Sequence, residues 1–290
     1  MEESSRQSTS RSELVQGVCL MLLAAFCFSI MTAFVKLAGT AMPSIEIAFF
    51  RGFVNLCLLT PWMLYRRVPL LGANRRMLFS RSFFGFVALC LAFYAATRLP
   101  LADATMLNQT STIFVALLSL IFLGERGSAG LYAYIGVAFI GTLVIIKPSF
   151  EIGNLPGIAG LISGLFSAMA YVSIRQLHRT ESSETIVFNF SFYTSLLGLL
   201  AGWGQFVWPL GAGLLYVVGV GAFGTAGQIC MTRAYRHAAA TVVSPYMYSG
   251  VLFAGLWEAL FWSHWPDLSS ILGGALLILS GVGIVKRMSR

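Results

Sequence analysis

The amino-acid sequence predicts an all-α integral membrane protein with ten transmembrane helices, arranged as two inverted five-helix repeats. Three observations lead there. Of 290 residues, 57% are hydrophobic and only 10% charged, whereas a soluble domain carries about a quarter charged residues. The charges divide the chain into apolar runs close to the ~20 residues that a membrane-spanning helix requires. The second half then repeats the first at a shift of 138 to 139 residues, with Lys36 against Arg175 and Arg98 against Arg236.

Residues 1–13, which begin MEESSRQSTSRS, are expected to form a disordered cytoplasmic tail, because so polar a stretch has nothing to bury. The first apolar run, 14–36, lacks a small-residue cleavage site and is followed by further spans, so it reads as a helix and not as a signal peptide. Spans are then expected near 44–65, 81–98, 102–123 and 129–147, which completes a first repeat over 14–147. A second repeat over 156–286 holds spans near 156–175, 185–206, 212–233, 239–262 and 268–286. No charge occurs between Glu184 and Arg233, and that run is too long for one span, so GWGQFVWPLGAG (202–213) is read as a turn. The same shift sets Glu46 against Glu184 and Glu125 against His264. An odd number of spans per half makes the halves insert in opposite orientations, with a pseudo-twofold axis in the membrane plane.

With the amino terminus in the cytoplasm, 15 of 19 positive residues fall on cytoplasmic segments, among them Arg66, Arg67, Arg75, Arg76 and Arg81. Lys36, Arg98 and Lys147 stay outside, and Arg51 lies within a span. Both termini are therefore expected inside, in a cell (inner) membrane. The formal net charge of +8 is accounted for by that basic rim on the lipid bilayer, so no nucleic-acid partner is implied.

The residues offer little to an enzyme. His178, His237 and His264 lie far apart without ligand spacing, and no paired carboxylates occupy one turn within a span, so neither a metal nor a catalytic set is expected. GVGAFG (219–224) matches a dinucleotide-binding pattern, but no strand precedes it; it reads as packing glycines, as does GLISG (160–164). No phosphate-binding P-loop occurs. The five cysteines all sit in apolar runs as small core residues, and no cofactor is implied.

Several motifs carry a resemblance: EIAFFRG (46–52), FYAATRLPLADAT (93–105), FLGER (122–126) and RAYRHAAATVVSPYMY (233–248). The pattern resembles the drug/metabolite transporter superfamily, EamA type, which implies ten helices in two five-helix halves that carry a small molecule. The sequence departs from that pattern at WSHWPD, where His264 stands at the position of a family glutamate, and at Glu258 within the ninth helix.

A transport pathway is expected between the halves near the midplane. At that depth the fourth span offers Asn108, Gln109 and Thr112, and its repeat partner offers Tyr246, Tyr248 and Ser249 just after Pro245, where a kink or a freed carbonyl is expected. Tyr94, Tyr171 and Gln228 complete the candidate substrate-binding set; interhelical hydrogen bonding is the alternative reading for each. Arg51, about 10 Å below the end of its span at 1.5 Å per residue, is expected to pair with Asp103, with direct substrate contact as the other reading. Lys36 with Arg98, and Arg175 with Arg236, flank opposite mouths as gate residues or as interfacial anchors. Glu258 either pairs with a cation such as Lys36 or Arg98 or serves in coupling. The sequence therefore favours a secondary transporter of a small polar or amphipathic metabolite, such as an amino acid or an amino-acid or nucleoside derivative. A channel comes second, since no helix carries a polar stripe from end to end. A membrane enzyme or lipid-handling protein comes third.

Overall fold

Helices account for every regular element among the described residues. A computed structural model describes residues 11–122, 129–146, 155–203 and 206–263, with 268, 272, 273, 275, 276, 279, 280 and 283 beyond them. The helices are α1 (Arg11–Ala38), α2 (Ser44–Tyr65), α3 (Arg75–Ala96), α4 (Leu101–Gln109), α5 (Ser111–Phe122), α6 (Ala129–Ile146), α7 (Leu155–Leu177), α8 (Ser183–Ala201), α9 (Ala212–His237), α10 (Ala240–Val243) and α11 (Ser249–Trp262). Residues Ser244–Tyr248, between α10 and α11, form a 3-10 turn. Six of these helices, α1, α2, α3, α7, α8 and α9, are long and apolar enough to cross a membrane. Their outward faces carry exposed Phe53, Leu58, Leu196, Leu214 and Leu215, which suit hydrocarbon and not water.

Local chemistry sets the ends. The Asn74 side chain accepts the Met77 backbone N–H at 3.2 Å and starts α3 at Arg75, six residues before the expected 81, because arginine propagates a helix well and does not end one. Ser182 caps α8 by accepting the Thr185 N–H at 3.1 Å, and Gly202 closes that helix at Ala201, short of the expected 206. Gly211, with φ of +56°, turns the chain into α9, which runs on to His237. The span expected at 268–286 falls largely outside the described residues, as do His264, Glu125, Lys147 and Lys286.

The halves exchange partners. α1 lies along α9, α3 along α7, and α2 along α8, so the first helix of each half packs on the third of the other. Glycines permit the approach: a Cβ at Gly219 would meet the Phe34 ring at 2.8 Å, and one at Gly227 the Phe28 ring at 2.9 Å. Without water to drive association, such close backbone contact is what holds membrane helices together. GVGAFG and GLISG are thus packing faces, with Gly221 against Val54 and Gly160 against Leu107.

Two segments are broken at matching places. The run Leu101–Phe122 interrupts its helix at Thr110, between α4 and α5. The run Ala240–Trp262 interrupts at Ser244–Tyr248, where Pro245 opens the 3-10 turn. Thr110 and Tyr248 correspond at the repeat period, so the same device recurs in both halves.

Candidate functional site

A cavity of about 120 Å³ lies where the broken segments meet α1, α3, α7 and α9. Its walls are largely apolar, with Phe28, Met31, Leu89, Phe93 and Phe190, and its polar groups are few: Ser29, Thr32, Arg51, Arg81, Thr105, Asn108, Gln109, Ser167, Tyr171 and Gln228. An apolar envelope with a few fixed polar groups is the usual form of a small-molecule site.

The helix breaks supply the polar groups on one wall. A 3-10 turn leaves carbonyls without their α-helical donors, and two of these are used across the halves. Gln109 Nε2 donates to the Met247 carbonyl at 2.7 Å, and Thr112 Oγ1 to the Ser244 carbonyl at 3.4 Å. Asn108 Nδ2 donates to Ser163 Oγ at 2.9 Å and Ser167 Oγ at 3.1 Å, joining α4 to α7. Gly164 lets α7 touch the break itself: a Cβ there would stand 3.1 Å from the Leu107 carbonyl and would overlap the Thr110 hydroxyl.

Two buried guanidinium groups converge on one aromatic ring. Arg51 is 3% exposed and Arg81 2%. Their guanidinium carbons lie 5.2 and 3.9 Å from the centre of the Phe190 ring. Arg51 enters from α2 and Arg81 from α3, each about two turns from its helix start. Arg51 donates from Nη2 to Gln228 Oε1 at 3.3 Å and from Nε toward Met31 Sδ at 3.3 Å. Arg81 Nε and Nη1 are buried with no hydrogen-bond partner among the described residues. Glycines clear the space, since a Cβ at Gly224 would come within 2.8 Å of Arg51 Nε and one at Gly85 within 2.9 Å of Arg81 Nη1. Stacking on an aromatic face returns about 2 kcal/mol to a desolvated cation, less than the several kcal/mol that burial of an ion costs.

Ionic ties mark the two ends. At one end Lys36 Nζ lies 3.2 Å from Glu258 Oε1 and 4.8 Å from the Trp262 ring centre. Glu258 Oε2 also accepts the Leu101 N–H at 2.8 Å, so one carboxylate caps α4 and neutralises a lysine. Nearby, Trp257 Nε1 donates to Ser29 Oγ at 2.9 Å. At the other end Arg175 Nη1 donates to the Tyr235 carbonyl at 2.8 Å and to that of Arg236 at 3.3 Å, which caps α9. Arg233 pairs with Glu184 at 2.6 Å. Just past α7, His178 Nε2 donates to the Thr232 carbonyl at 2.8 Å, and burial holds its imidazole below the ordinary histidine range despite that bond.

Of the candidate substrate-binding residues, Asn108, Gln109, Tyr171 and Gln228 line the cavity. Tyr94, Thr112, Tyr246, Tyr248 and Ser249 do not. Tyr94 lies beneath Arg98, whose guanidinium carbon is 3.9 Å from its ring centre. Tyr246 and Tyr248 pack among apolar residues, and Ser249 Oγ turns back onto the Tyr246 carbonyl at 2.7 Å. The 3-10 turn rotates these three away from the face that α-helical spacing assigns them. Arg51 does not pair with Asp103: it points toward α1 and α9, whereas Asp103 has Glu258 and Lys36 as its charged neighbours. Arg81 is not part of a cytoplasmic rim but a wall of the cavity. Its signal in the sequence is Gly85, one turn on, which keeps that helical face open.

Comparison with known proteins adds to this geometry. The sequence profile of the EamA-like transporter family matches residues 15–147 and again 155–286. The pseudopaline exporter CntI of Pseudomonas aeruginosa is 38% identical over 275 residues, covering 93% of this chain and 96% of the relative. An S-adenosylmethionine uptake transporter of Rickettsia felis is 25% identical over 279 residues, covering 94% and 95%. One solved crystal structure superposes with a TM-score of 0.81 at 18% identity, over 95% of this chain and 99% of that one, which extends the likeness to the fold.

Proposed function

The chain belongs to the EamA-like transporter family, and from that premise we propose that it is a secondary active carrier working by alternating access. It carries a small polar or amphipathic metabolite, such as an amino acid or an amino-acid or nucleoside derivative. Ten spans form two inverted repeats, 14–147 and 156–286, in the inner membrane with both termini cytoplasmic. In this reading α4 with α5, and α10 with α11, are each one discontinuous span. The observation that carries the proposal is the cavity at the breaks of two repeat-related segments, where inverted-repeat carriers hold their solute. Asn108, Gln109, Tyr171 and Gln228 contact the solute. The Lys36–Glu258 tie closes one end and the Arg175 contacts to α9 the other, in turn, with Arg98 and Arg236 at the rims. Among relatives, the names pseudopaline exporter and S-adenosylmethionine uptake transporter support a solute of metabolite size; the latter joins an amino acid to a nucleoside.

Proteoliposomes loaded with an unlabelled candidate, an amino acid or S-adenosylmethionine, test the mechanism. A carrier takes up the labelled form faster into loaded vesicles than into empty ones. Equal uptake into both would favour a channel and overturn the carrier reading.

A further inference from the structure

We infer that the solute presents a carboxylate, and that Arg51 and Arg81 receive it beside Phe190. The inference deepens the carrier reading and rests on it. Arg81 is 2% exposed, lines the cavity, and keeps Nε and Nη1 without a partner among the described residues. Arg51, 3% exposed, has only the neutral acceptors Gln228 and Met31 among the described residues. No aspartate or glutamate occurs among the described residues that line the cavity. Of the described acids nearby, Glu46 accepts the Val207 N–H, Glu181 the Asn74 N–H, Glu184 pairs with Arg233 and Glu258 with Lys36, while Asp103, next to the lining residues Ala104 and Thr105, has Glu258 and Lys36, and neither arginine, as its charged neighbours.

Guanidinium keeps its charge at any pH the cell meets, and a buried ion without a counter-ion is costly. Two such groups around one cavity therefore leave a place for an anion that arrives from solution. The Arg81 guanidinium carbon lies 3.9 Å from the centre of the Phe190 ring, and its Nε and Nη1 have no acceptor among the described residues, which leaves the planar N–H fork uncommitted. That fork fits the two oxygens of a planar carboxylate, which it can hold through paired hydrogen bonds. Gly85 and Gly224 maintain the room, since a methyl at either would press on a guanidinium nitrogen. The remaining wall, with Asn108, Ser167, Tyr171 and Thr105, is neutral and suits the rest of a polar metabolite. A net cation lacking an acid group would meet two positive charges and, among the described lining residues, no negative one.

The test begins without choosing the solute. Wild-type proteoliposomes are loaded with a bacterial small-metabolite extract, and the solutes released in exchange for the same extract outside are identified by mass spectrometry. The inference expects every exchanged solute to bear a carboxylate. It also expects the carboxamide of an exchanged solute to compete at least about tenfold less well, since the paired charge-assisted bonds are lost. Arg81→Gln should raise the apparent KM by a similar factor, and Arg81→Lys should recover part of it. Exchange of solutes without a carboxylate, of phosphates only, or equal competition by acid and amide would overturn the inference while leaving the carrier intact. Absence of any exchange would overturn the carrier reading, and the inference with it. Acid and amide are compared on the wild type, so the outcome stands even where an Arg81 variant does not fold.

Discussion

Gln109 and Met247 stand 138 residues apart, the period of the sequence repeat, and are joined by a hydrogen bond of 2.7 Å from Gln109 Nε2 to the Met247 carbonyl. Repeat mates that also touch bring the two broken segments together, and this bond ties them at their breaks.

Replacing Gln109 by leucine removes that bond and takes from the Met247 carbonyl its side-chain donor. Interhelical hydrogen bonds in membrane proteins contribute about 0.6 kcal/mol on average, and up to about 1.7. Gln109→Leu should lower stability toward the upper part of that range, because the acceptor is a main-chain group inside a 3-10 turn. Reversible unfolding in mixed micelles measures it; an unchanged midpoint would show that the turn satisfies its carbonyl in another way.

The pair Lys36 and Glu258 is tested by non-additivity. Lys36→Met alone leaves a buried carboxylate that caps α4 but has lost its lysine, whereas the further change Glu258→Gln keeps the acceptor for the Leu101 N–H and removes the charge. The double variant should therefore be more stable than Lys36→Met, by about 1 kcal/mol or more for a partly buried pair. Thermal unfolding of the four proteins closes the cycle, and strictly additive losses would mean that the contact carries no coupling. For transport, Glu258→Gln should still exchange solute for solute. Should it keep gradient-driven accumulation as well, Glu258 has no part in proton coupling.

Gly224 and Gly255 make a contrast. A methyl at Gly224 meets Arg51 Nε at 2.8 Å and Met31 Sδ at 3.0 Å, while one at Gly255 meets nothing within 4 Å. Gly224→Ala should cut exchange severalfold by displacing Arg51. Gly255→Ala should leave exchange alone and stabilise α11 by up to about 1 kcal/mol through helix propensity. Similar transport in the two variants would remove Arg51 from the site.

His178 gives stability a pH dependence. Burial depresses its pKa in the folded protein, so as pH falls through the unfolded value, about 6.5, the unfolded chain takes up a proton that the folded one refuses. The contribution is complete above that pH and declines below it, toward the folded value. Between pH 7.5 and 5.5 the wild type should lose more thermal stability than His178→Gln. Equal losses would point to another group.

Much of this was legible in the sequence where hydropathy decides. The span 44–65 coincides with α2 because Pro43 and the Arg66–Arg67 pair mark both ends. Asn108 and Gln228 stand out as amides in oil, and both reach the cavity. Arg81 was hidden by its company: after Arg66, Arg67, Arg75 and Arg76 it reads as one more rim charge, and charge counting does not register that α3 begins at Arg75 and turns its seventh residue inward. Tyr246, Tyr248 and Ser249 fail for a different reason. Periodicity assigns faces only while the helix stays α, and Pro245 ends that regularity three residues before Tyr248.

Alternating access requires the cavity to open to one side of the membrane at a time. A single cysteine at Ala92, which lines the cavity, introduced after replacing the five native cysteines, reports on it through labelling by an impermeant maleimide from either face. Labelling is expected from both faces in the free protein, and from one face only once positions 36 and 258 are cross-linked. Labelling from both faces after cross-linking, or from neither before it, would rule out alternating access.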